Sequence, residues 1–152
     1  ALARDERLRV LLLTGAGGDF CAGGDVKAMQ RPGDAAGPPS AESRRAGMAR
    51  YARIVRAMAS IERPVVAAAD GVCYGAGFSL LLLADLVVLG TGARLCMVFH
   101  RIGLVPDVGA FYTLPRAVGL QRARELVFSA REIAAHEADR LGLALEVVPS
   151  AR

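Results

Sequence analysis

The sequence is poor in several residue types, and these shortages exclude whole classes of protein. It has no tryptophan, three cysteines and a single lysine, Lys27, among 19 basic residues. Cys21, Cys73 and Cys96 are far apart and lack CxxC or CxxH spacing, so neither a disulfide framework nor a zinc site is predicted. The arginines are scattered along predicted helices with few aromatic residues between them, which does not indicate a nucleic-acid surface.

Long hydrophobic runs are missing as well. The longest, residues 78–89, is interrupted by Asp85 and is shorter than the about 20 residues that a membrane-spanning helix needs. With 152 residues, of which 53% are hydrophobic, the chain is expected to form one domain, residues 1–152, with its own core. We therefore expect a soluble, cytoplasmic protein. Its net charge of +4 would suit an anionic substrate, but charged residues that are exposed to solvent and bind no substrate would give the same net charge.

Apolar runs alternate with helical patterns along the chain. Buried strands are predicted at residues 8–14, 65–69, 86–89 and 95–98, with an extended tail at 145–148. Helices are predicted at residues 26–30, 42–61, 78–83, 109–118, 121–130 and 134–141, with a break at Pro115. Residues 31–40 are rich in proline and glycine and predict an exposed, mobile loop. This alternation indicates an α/β fold with a parallel sheet.

Two glycine-rich turns join predicted strands to predicted helices. Five glycines lie in residues 15–24, and a second turn begins at Asp70 and continues through Gly75 and Gly77. The first amides of a helix have no intrahelical acceptor, so each turn can present a free backbone N–H. Two such donors can form an oxyanion hole. Taken alone, a glycine-rich sequence does not distinguish an oxyanion hole from a phosphate-binding turn or from a turn with only a structural role.

The segments DFCAGGDVKAM and DGVCYGAGFSLLLLADLVV resemble the two signatures of the crotonase family, the enoyl-CoA hydratases and isomerases. The resemblance implies a crotonase-like superhelix of ββα units and an acyl-CoA thioester as substrate. It implies that the backbone amides of Gly24 and Ala76 are the oxyanion donors. Coenzyme A would enter as part of the substrate, and no metal or other cofactor is expected.

The same resemblance implies a set of substrate-binding residues. Residues 24–27 would run along the pantetheine and adenine, and Lys27 would reach a phosphate. The full set is Ala22, Gly24, Asp25, Val26, Lys27, Tyr74, Ala76, Ser79 and Phe99.

The residues at the positions that match the family's catalytic carboxylates indicate the reaction. Family hydratases use two glutamates, and this sequence has Ser79 and Phe99 in their places. Asp107 matches a position that holds an acidic residue in isomerases, which implies a proton shuttle between carbons and hence an enoyl-CoA isomerase. Asp107 would otherwise be a turn residue or helix N-cap after Pro106. The alternatives are a hydratase with unusual groups and a non-catalytic acyl-CoA-binding subunit.

Other chemically capable residues receive no catalytic role. Ser79 is interpreted as a small spacer that makes room for the acyl group. His100 and His136 are interpreted as surface or structural residues. Cys21 and Cys73 admit a thiol-nucleophile interpretation, but small buried cysteines are the commoner outcome. Tyr112, like Tyr74, would line the acyl pocket or pack in the core.

The resemblance also carries expectations about the whole molecule. Family members have additional N-terminal strands and C-terminal helices that this sequence is expected to lack, which would leave a sheet edge and an apolar face exposed. A homo-oligomer, either a trimer or a hexamer, is expected. The segment 79–85 and the residues around Asp107 look most like isomerases that act on ring-derived enoyl-CoA esters in aromatic-acid catabolism.

Overall fold

A computed structural model of the chain describes residues 7–25 and 40–150. Within this part the strands are β1 (Leu11–Thr14), β2 (Val65–Ala69), β3 (Val72–Tyr74), β4 (Leu86–Gly90), β5 (Arg94–Cys96), β6 (Glu132–Ala134) and β7 (Glu146–Val148). The helices are α1 (Ala41–Ala59), α2 (Ala76–Leu81), α3 (Ala110–Val118), α4 (Leu120–Ser129) and α5 (Ala135–Arg140), with a 3₁₀ helix at Val98–Ile102.

The described strands form two sheets. The larger has the order β1-β2-β4-β7 and is parallel throughout, with Leu11 opposite Val65 and Val66 opposite Leu86. The smaller has the order β3-β5-β6, in which β3 and β5 are parallel and β6 is antiparallel to β5. The predicted α/β architecture with parallel strands is therefore confirmed.

The chain passes repeatedly from one sheet to the other and then into a helix. Strand β2 lies in the larger sheet, β3 follows in the smaller sheet, and α2 comes next. Strands β4 and β5 repeat the crossing and lead into the 3₁₀ helix. Each repeat therefore places a turn between its second strand and the helix that follows.

The core is built from short apolar runs on the strands and the inner faces of the helices. Val65–Ala69 alternates between fully and partly buried residues, as expected for a strand packed on one face. Ala67 of β2, Leu89 of β4, Leu95 of β5, Leu81 of α2 and Leu114 of α3 are all completely buried. Burial of each leucine contributes about 1.5–3 kcal/mol to folding, and this packing fixes the positions of the turns.

Several predicted elements differ in detail. Strand β1 is at the edge of its sheet with Leu12 61% exposed, so the buried strand predicted at residues 8–14 is shorter and less buried than expected. The strand predicted at 95–98 ends at Cys96, where the chain turns into the 3₁₀ helix. Strands β3 and β6 were not predicted. The helix predicted at 26–30 and most of the loop predicted at 31–40 lie outside the described residues.

The predicted helix break at Pro115 is wrong. Pro115 lacks the N–H that would bond the carbonyl of Phe111, but it stands inside a nine-residue helix and removes only this bond. The N–H of Gly119 still donates to the Pro115 carbonyl at 3.0 Å, and the helix ends at Val118. By contrast, the helix predicted at 42–61 is confirmed as α1, which begins after Ser40, whose Oγ accepts from the N–H of Ser43 at 3.1 Å.

Among the residues that the structure describes, none of the helices combines the length and the apolar character needed to cross a membrane.

Candidate active site

The two glycine turns lie side by side because backbone hydrogen bonds join them. The N–H of Phe20 donates to the Asp70 carbonyl at 3.0 Å, and the N–H of Cys21 donates to the Val72 carbonyl at 3.0 Å. In the other direction, the N–H of Tyr74 donates to the Cys21 carbonyl at 2.9 Å. This ladder aligns the two turns over several residues and sets the distance between their ends.

Glycine is required at the points where the turns touch. A Cβ at Gly23 would lie 2.9 Å from the Tyr74 carbonyl oxygen, and Gly23 has a φ of +97°. A Cβ at Gly77 would lie 2.2 Å from the Cys21 carbonyl oxygen, far inside the contact distance. Both obstacles are backbone atoms, which can shift only if the two turns move apart. The glycines of these turns therefore permit a close approach of two backbone segments.

Ala76 is the first residue of α2, so no intrahelical carbonyl accepts from its N–H. The preceding Gly75 adopts a φ of +53° and donates its own N–H to the Cys96 carbonyl at 2.9 Å. Ser79 holds the Gly75 carbonyl through its N–H at 3.0 Å and its Oγ at 3.2 Å. These bonds fix the peptide unit that carries the Ala76 amide.

A small cleft of about 50 Å³ lies between the two turns and the chain that follows β5. Gly24 of the first turn and Ala76 of the second both line it, and Asp107 lines it from another side. The walls are otherwise apolar apart from one tyrosine. The described residues that line the cleft are Ala22, Gly23, Gly24, Tyr51, Gly75, Ala76, Val98, Phe99, Ile102, Leu104 and Asp107.

Asp107 is half-buried, and its Oδ1 atom is buried without a hydrogen-bond partner among the described residues. Burial raises the pKa of its carboxyl above the ordinary value for aspartate. The next residue, Val108, has a φ of +49°, a conformation that is strained for a β-branched side chain. A half-buried carboxyl with one unpartnered oxygen, next to a strained backbone in an apolar cleft, is typical of a functional residue.

The structure brings together five of the predicted site residues. Ala22, Gly24, Ala76, Phe99 and Asp107 all line the cleft. Their predicted roles in catalysis and binding remain predictions, since their common position does not identify a bound substrate.

Three other predicted site residues lie outside the cleft lining. The hydroxyl of Tyr74 donates to Glu132, a bond that raises the pKa of Tyr74. Ser79 is completely buried, and its Oγ braces the second turn by donating to the Gly75 carbonyl. Its role as a spacer for the acyl group stays a prediction. Asp25 is exposed just after the first turn. Val26 and Lys27 lie outside the described residues.

Six described residues of the cleft were not predicted as site residues: Gly23 and Gly75, which belong to the two predicted turns, and four residues outside the turns. Val98 and Ile102 belong to the 3₁₀ helix, and Leu104 follows it. Tyr51 comes from α1. Its helical spacing with Val55 predicts that it faces inward, but the spacing does not predict which residues it lies beside. These contacts join parts of the chain that are distant in sequence, so no local pattern could have revealed them.

The other chemically capable residues considered from the sequence lie outside the cleft lining. His100 stacks on Phe128 with ring centroids 5.9 Å apart, and His136 is exposed on α5. Cys73 is completely buried, and burial raises the pKa of its thiol, which disfavours the reactive thiolate. Tyr112 is 63% exposed with its ring 3.5 Å from the Arg116 guanidinium carbon, so it lies neither in the core nor in the cleft lining. No group of potential metal ligands is found in the described part of the chain.

Comparison with known proteins supplies a family for this geometry. The family model described as enoyl-CoA hydratase/isomerase matches residues 1–152. The chain is 39% identical over 146 residues to a 1,2-epoxyphenylacetyl-CoA isomerase of Escherichia coli strain K12, and 40% identical over 147 residues to a probable enoyl-CoA hydratase of Rhodobacter capsulatus. These matches cover 95% and 97% of this chain but 54% of each relative.

Solved structures confirm the crotonase-like fold. An enoyl-CoA hydratase/isomerase from Cupriavidus metallidurans CH34 is 46% identical with a TM-score of 0.78, over 95% of this chain and 52% of that one. A Thermobifida fusca YX protein solved in complex with CoA is 35% identical with a TM-score of 0.79, over 94% and 56% of the two chains. This chain thus spans about half the length of the relatives that it matches.

Proposed function

This chain belongs to the enoyl-CoA hydratase/isomerase family, and from that premise we propose that it shifts a double bond within an acyl-CoA thioester. The observation that carries the proposal is the composition of the cleft. Among its described lining residues Asp107 is the one carboxylate, and it shares the cleft with Gly24 and Ala76, whose backbone amides are the proposed donors. Two donors and one proton acceptor are the minimum set for an isomerase that proceeds through an enolate.

The two turn amides supply the electrostatic part of the mechanism. The N–H groups of Gly24 and Ala76 donate to the thioester carbonyl oxygen, which becomes negative when a proton leaves Cα. The bonds made by Gly75 and Ser79 hold the Ala76 donor in place before the substrate arrives, and the bonds at Phe20 and Cys21 tie the first turn to the second. In a cleft that excludes water, each such donor contributes on the order of 100-fold or more in rate.

Asp107 moves the proton. Its carboxylate removes a proton from Cα of a 3-enoyl-CoA, the electrons delocalise into a dienolate, and the same proton returns to the γ carbon. The double bond then stands between Cα and Cβ, conjugated with the thioester. Burial raises the pKa of Asp107, so its carboxylate is a stronger base than an exposed aspartate.

Two observations favour isomerisation over hydration. Addition of water is better served by two carboxylates, and the positions expected to hold them carry Ser79 and Phe99. Ser79 is completely buried and bonded to the Gly75 carbonyl, and Phe99 is a wall of the cleft that cannot transfer a proton. The names of the relatives include both activities, so hydration remains the second candidate.

The proposal extends to the substrate and the assembly. The complex of the Thermobifida fusca relative with CoA supports a CoA thioester as the ligand. The E. coli relative, named for an epoxide of phenylacetyl-CoA, supports the narrower class of esters derived from aromatic acids. Assembly into a homo-oligomer, a trimer or a hexamer, and a cytoplasmic location complete the proposal.

The test is turnover of a 3-enoyl-CoA, followed by absorbance of the conjugated product. We expect Asp107→Asn to lower kcat by at least about 100-fold while acyl-CoA still binds, because the variant removes the base and keeps the shape of the cleft. The matched control is Asp139→Asn on the exposed face of α5, which should leave the rate unchanged.

The alternatives give different products. A hydratase would convert a 2-enoyl-CoA to a 3-hydroxyacyl-CoA, which mass spectrometry detects as the gain of one water. A binding subunit would hold acyl-CoA with equal affinity in the wild-type and Asp107→Asn proteins and produce neither product.

A further inference from the structure

Tyr51 is a second polar side chain in the cleft, and the proposed reaction does not use it. Among the described lining residues, the amides of the glycine turns aside, only Asp107 and Tyr51 carry side-chain groups that form hydrogen bonds. The other side chains of the lining are aliphatic or phenylalanine. A single phenol in such a cleft distinguishes ligands that can bond to it from ligands that cannot.

The packing of α1 places Tyr51 beside the segment that carries Asp107. Val55, one helical turn after Tyr51, approaches Gly109: its Cγ1 atom is 3.7 Å from the position of a Cβ at that glycine. Residues four apart lie on the same face of a helix. Helix α1 therefore crosses next to residues 107–109, and Tyr51 is held at the cleft by this contact and not by a mobile loop.

The Tyr51 hydroxyl does not satisfy Asp107 in this structure. The Oδ1 atom of Asp107 is buried without a hydrogen-bond partner among the described residues. Tyr51 and Asp107 therefore both line the cleft, and no hydrogen bond joins the Tyr51 hydroxyl to the buried Oδ1 atom. Because both residues line a cleft of only about 50 Å³, a ligand that fills the cleft contacts both of them.

We propose that Tyr51 is a specificity-determining residue whose hydroxyl donates to an oxygen atom on the acyl group, next to the reacting carbons. This inference rests on the proposed function, since it takes the cleft to be the acyl-binding site. A hydrocarbon chain would bury the phenol without an acceptor, which is unfavourable. An oxygenated acyl group supplies that acceptor, so the cleft selects acyl-CoA esters that carry an oxygen at the β or γ position.

The test compares two ligands of equal size that the enzyme cannot isomerise. Pentanoyl-CoA and 3-methoxypropanoyl-CoA differ only in the replacement of one methylene by an ether oxygen, and titration calorimetry measures the Kd of each. We expect Tyr51→Phe to weaken 3-methoxypropanoyl-CoA by about threefold to tenfold, the equivalent of one hydrogen bond. Pentanoyl-CoA should bind the variant as well as it binds wild type, or more tightly.

The control is Tyr112→Phe, which removes the same hydroxyl from an exposed tyrosine outside the cleft lining. It should leave both Kd values unchanged. Equal weakening of the two ligands by Tyr51→Phe would overturn the inference, because it would show that the ring only packs. Unchanged binding of both ligands would overturn it too.

The binding test of Tyr51 and the turnover test of the isomerase can give independent results. Discrimination between the two ligands without any turnover would support the role of Tyr51 and refute the isomerase. Turnover of a 3-enoyl-CoA by a chain whose ligand preference does not depend on Tyr51 would do the reverse.

Discussion

At the level of single residues, Asp107 and its neighbour combine two features that are unfavourable for folding. Its Oδ1 atom is buried without a partner, and the next residue, Val108, is held at a φ of +49°. A left-handed conformation at a valine costs on the order of 1–2 kcal/mol. Neither feature helps the fold, so the surrounding structure must hold them in place, as expected where a carboxyl is kept poised for proton transfer.

The raised pKa of Asp107 predicts a stability difference that depends on pH. The folded state binds the carboxyl proton more tightly than the unfolded state does, so this group contributes stability at low pH that is lost as pH rises through its folded pKa. Asparagine has no such titration. The unfolding free energy of Asp107→Asn, relative to wild type, should therefore increase between pH 4 and pH 7.

Urea unfolding of both proteins at several pH values measures this difference. Asp139→Asn, at an exposed site, provides the baseline. A relative stability of Asp107→Asn that stays constant or falls with rising pH would show that the carboxyl is not destabilised by burial.

At the level of elements, the two turns and the start of α2 form one unit. Gly77 has no room for a side chain, because a Cβ would lie 2.2 Å from the Cys21 carbonyl oxygen. Gly77→Ala must push the turns apart, and we expect it to destabilise the protein by about 1–3 kcal/mol. It should also lower turnover, since it displaces Ala76 relative to Gly24.

Gly47→Ala is the matched control. Gly47 lies within α1, and a Cβ there meets nothing within 4 Å. This variant should gain about 0.5–1 kcal/mol from helix propensity and leave turnover unchanged. Denaturant unfolding with a parallel assay separates the two effects, and equal behaviour of the two variants would contradict the close approach at Gly77.

The predictability of the elements follows the range of the interactions that form them. The run at Val65–Ala69 and the periodicity of α1 are local signals, and both elements were predicted. Strands β3 and β6 have three residues each and exist because β5 lies between them, so no local pattern marks them. Whether such a short segment forms a strand depends on the neighbouring strand with which it pairs and not on the intrinsic propensity of its residues.

The residues of the candidate site also differ in how well the sequence predicts them. Gly24 and Ala76 stand in motifs whose glycine content is visible in the sequence, and the resemblance to a family pointed to Asp107. Tyr51 is 56 positions before Asp107 in the sequence, so only tertiary packing places both in one cleft. The brace formed by Ser79 could not be predicted either, because its acceptor, the Gly75 carbonyl, depends on the turn conformation.

At the level of the whole molecule, an apolar groove on α3 and α4 is exposed. The groove has a volume of about 220 Å³, and its lining includes Phe111, Leu120 and Phe128, which are 55–68% exposed. Exposed apolar groups of this size favour association. We therefore predict that the chain self-associates in solution.

Phe111→Glu should shift the chain toward the monomer in sedimentation velocity and reduce binding of a dye that reports exposed hydrophobic surface. The control is Met48→Glu, at a methionine of α1 that is 55% exposed and outside the groove. A wild-type chain that sediments as a monomer without binding the dye would refute the predicted self-association.

The central claim is that one carboxyl, Asp107, takes a proton from Cα and returns it to the γ carbon. The most direct test uses a 3-enoyl-CoA with deuterium at Cα, and mass spectrometry and NMR locate the label in the product. We expect a measurable part of the deuterium to appear at the γ carbon, and we expect Asp107→Asn to abolish this transfer. Product in which the hydrogen added at the γ carbon comes only from solvent, or transfer that persists in the variant, would contradict it.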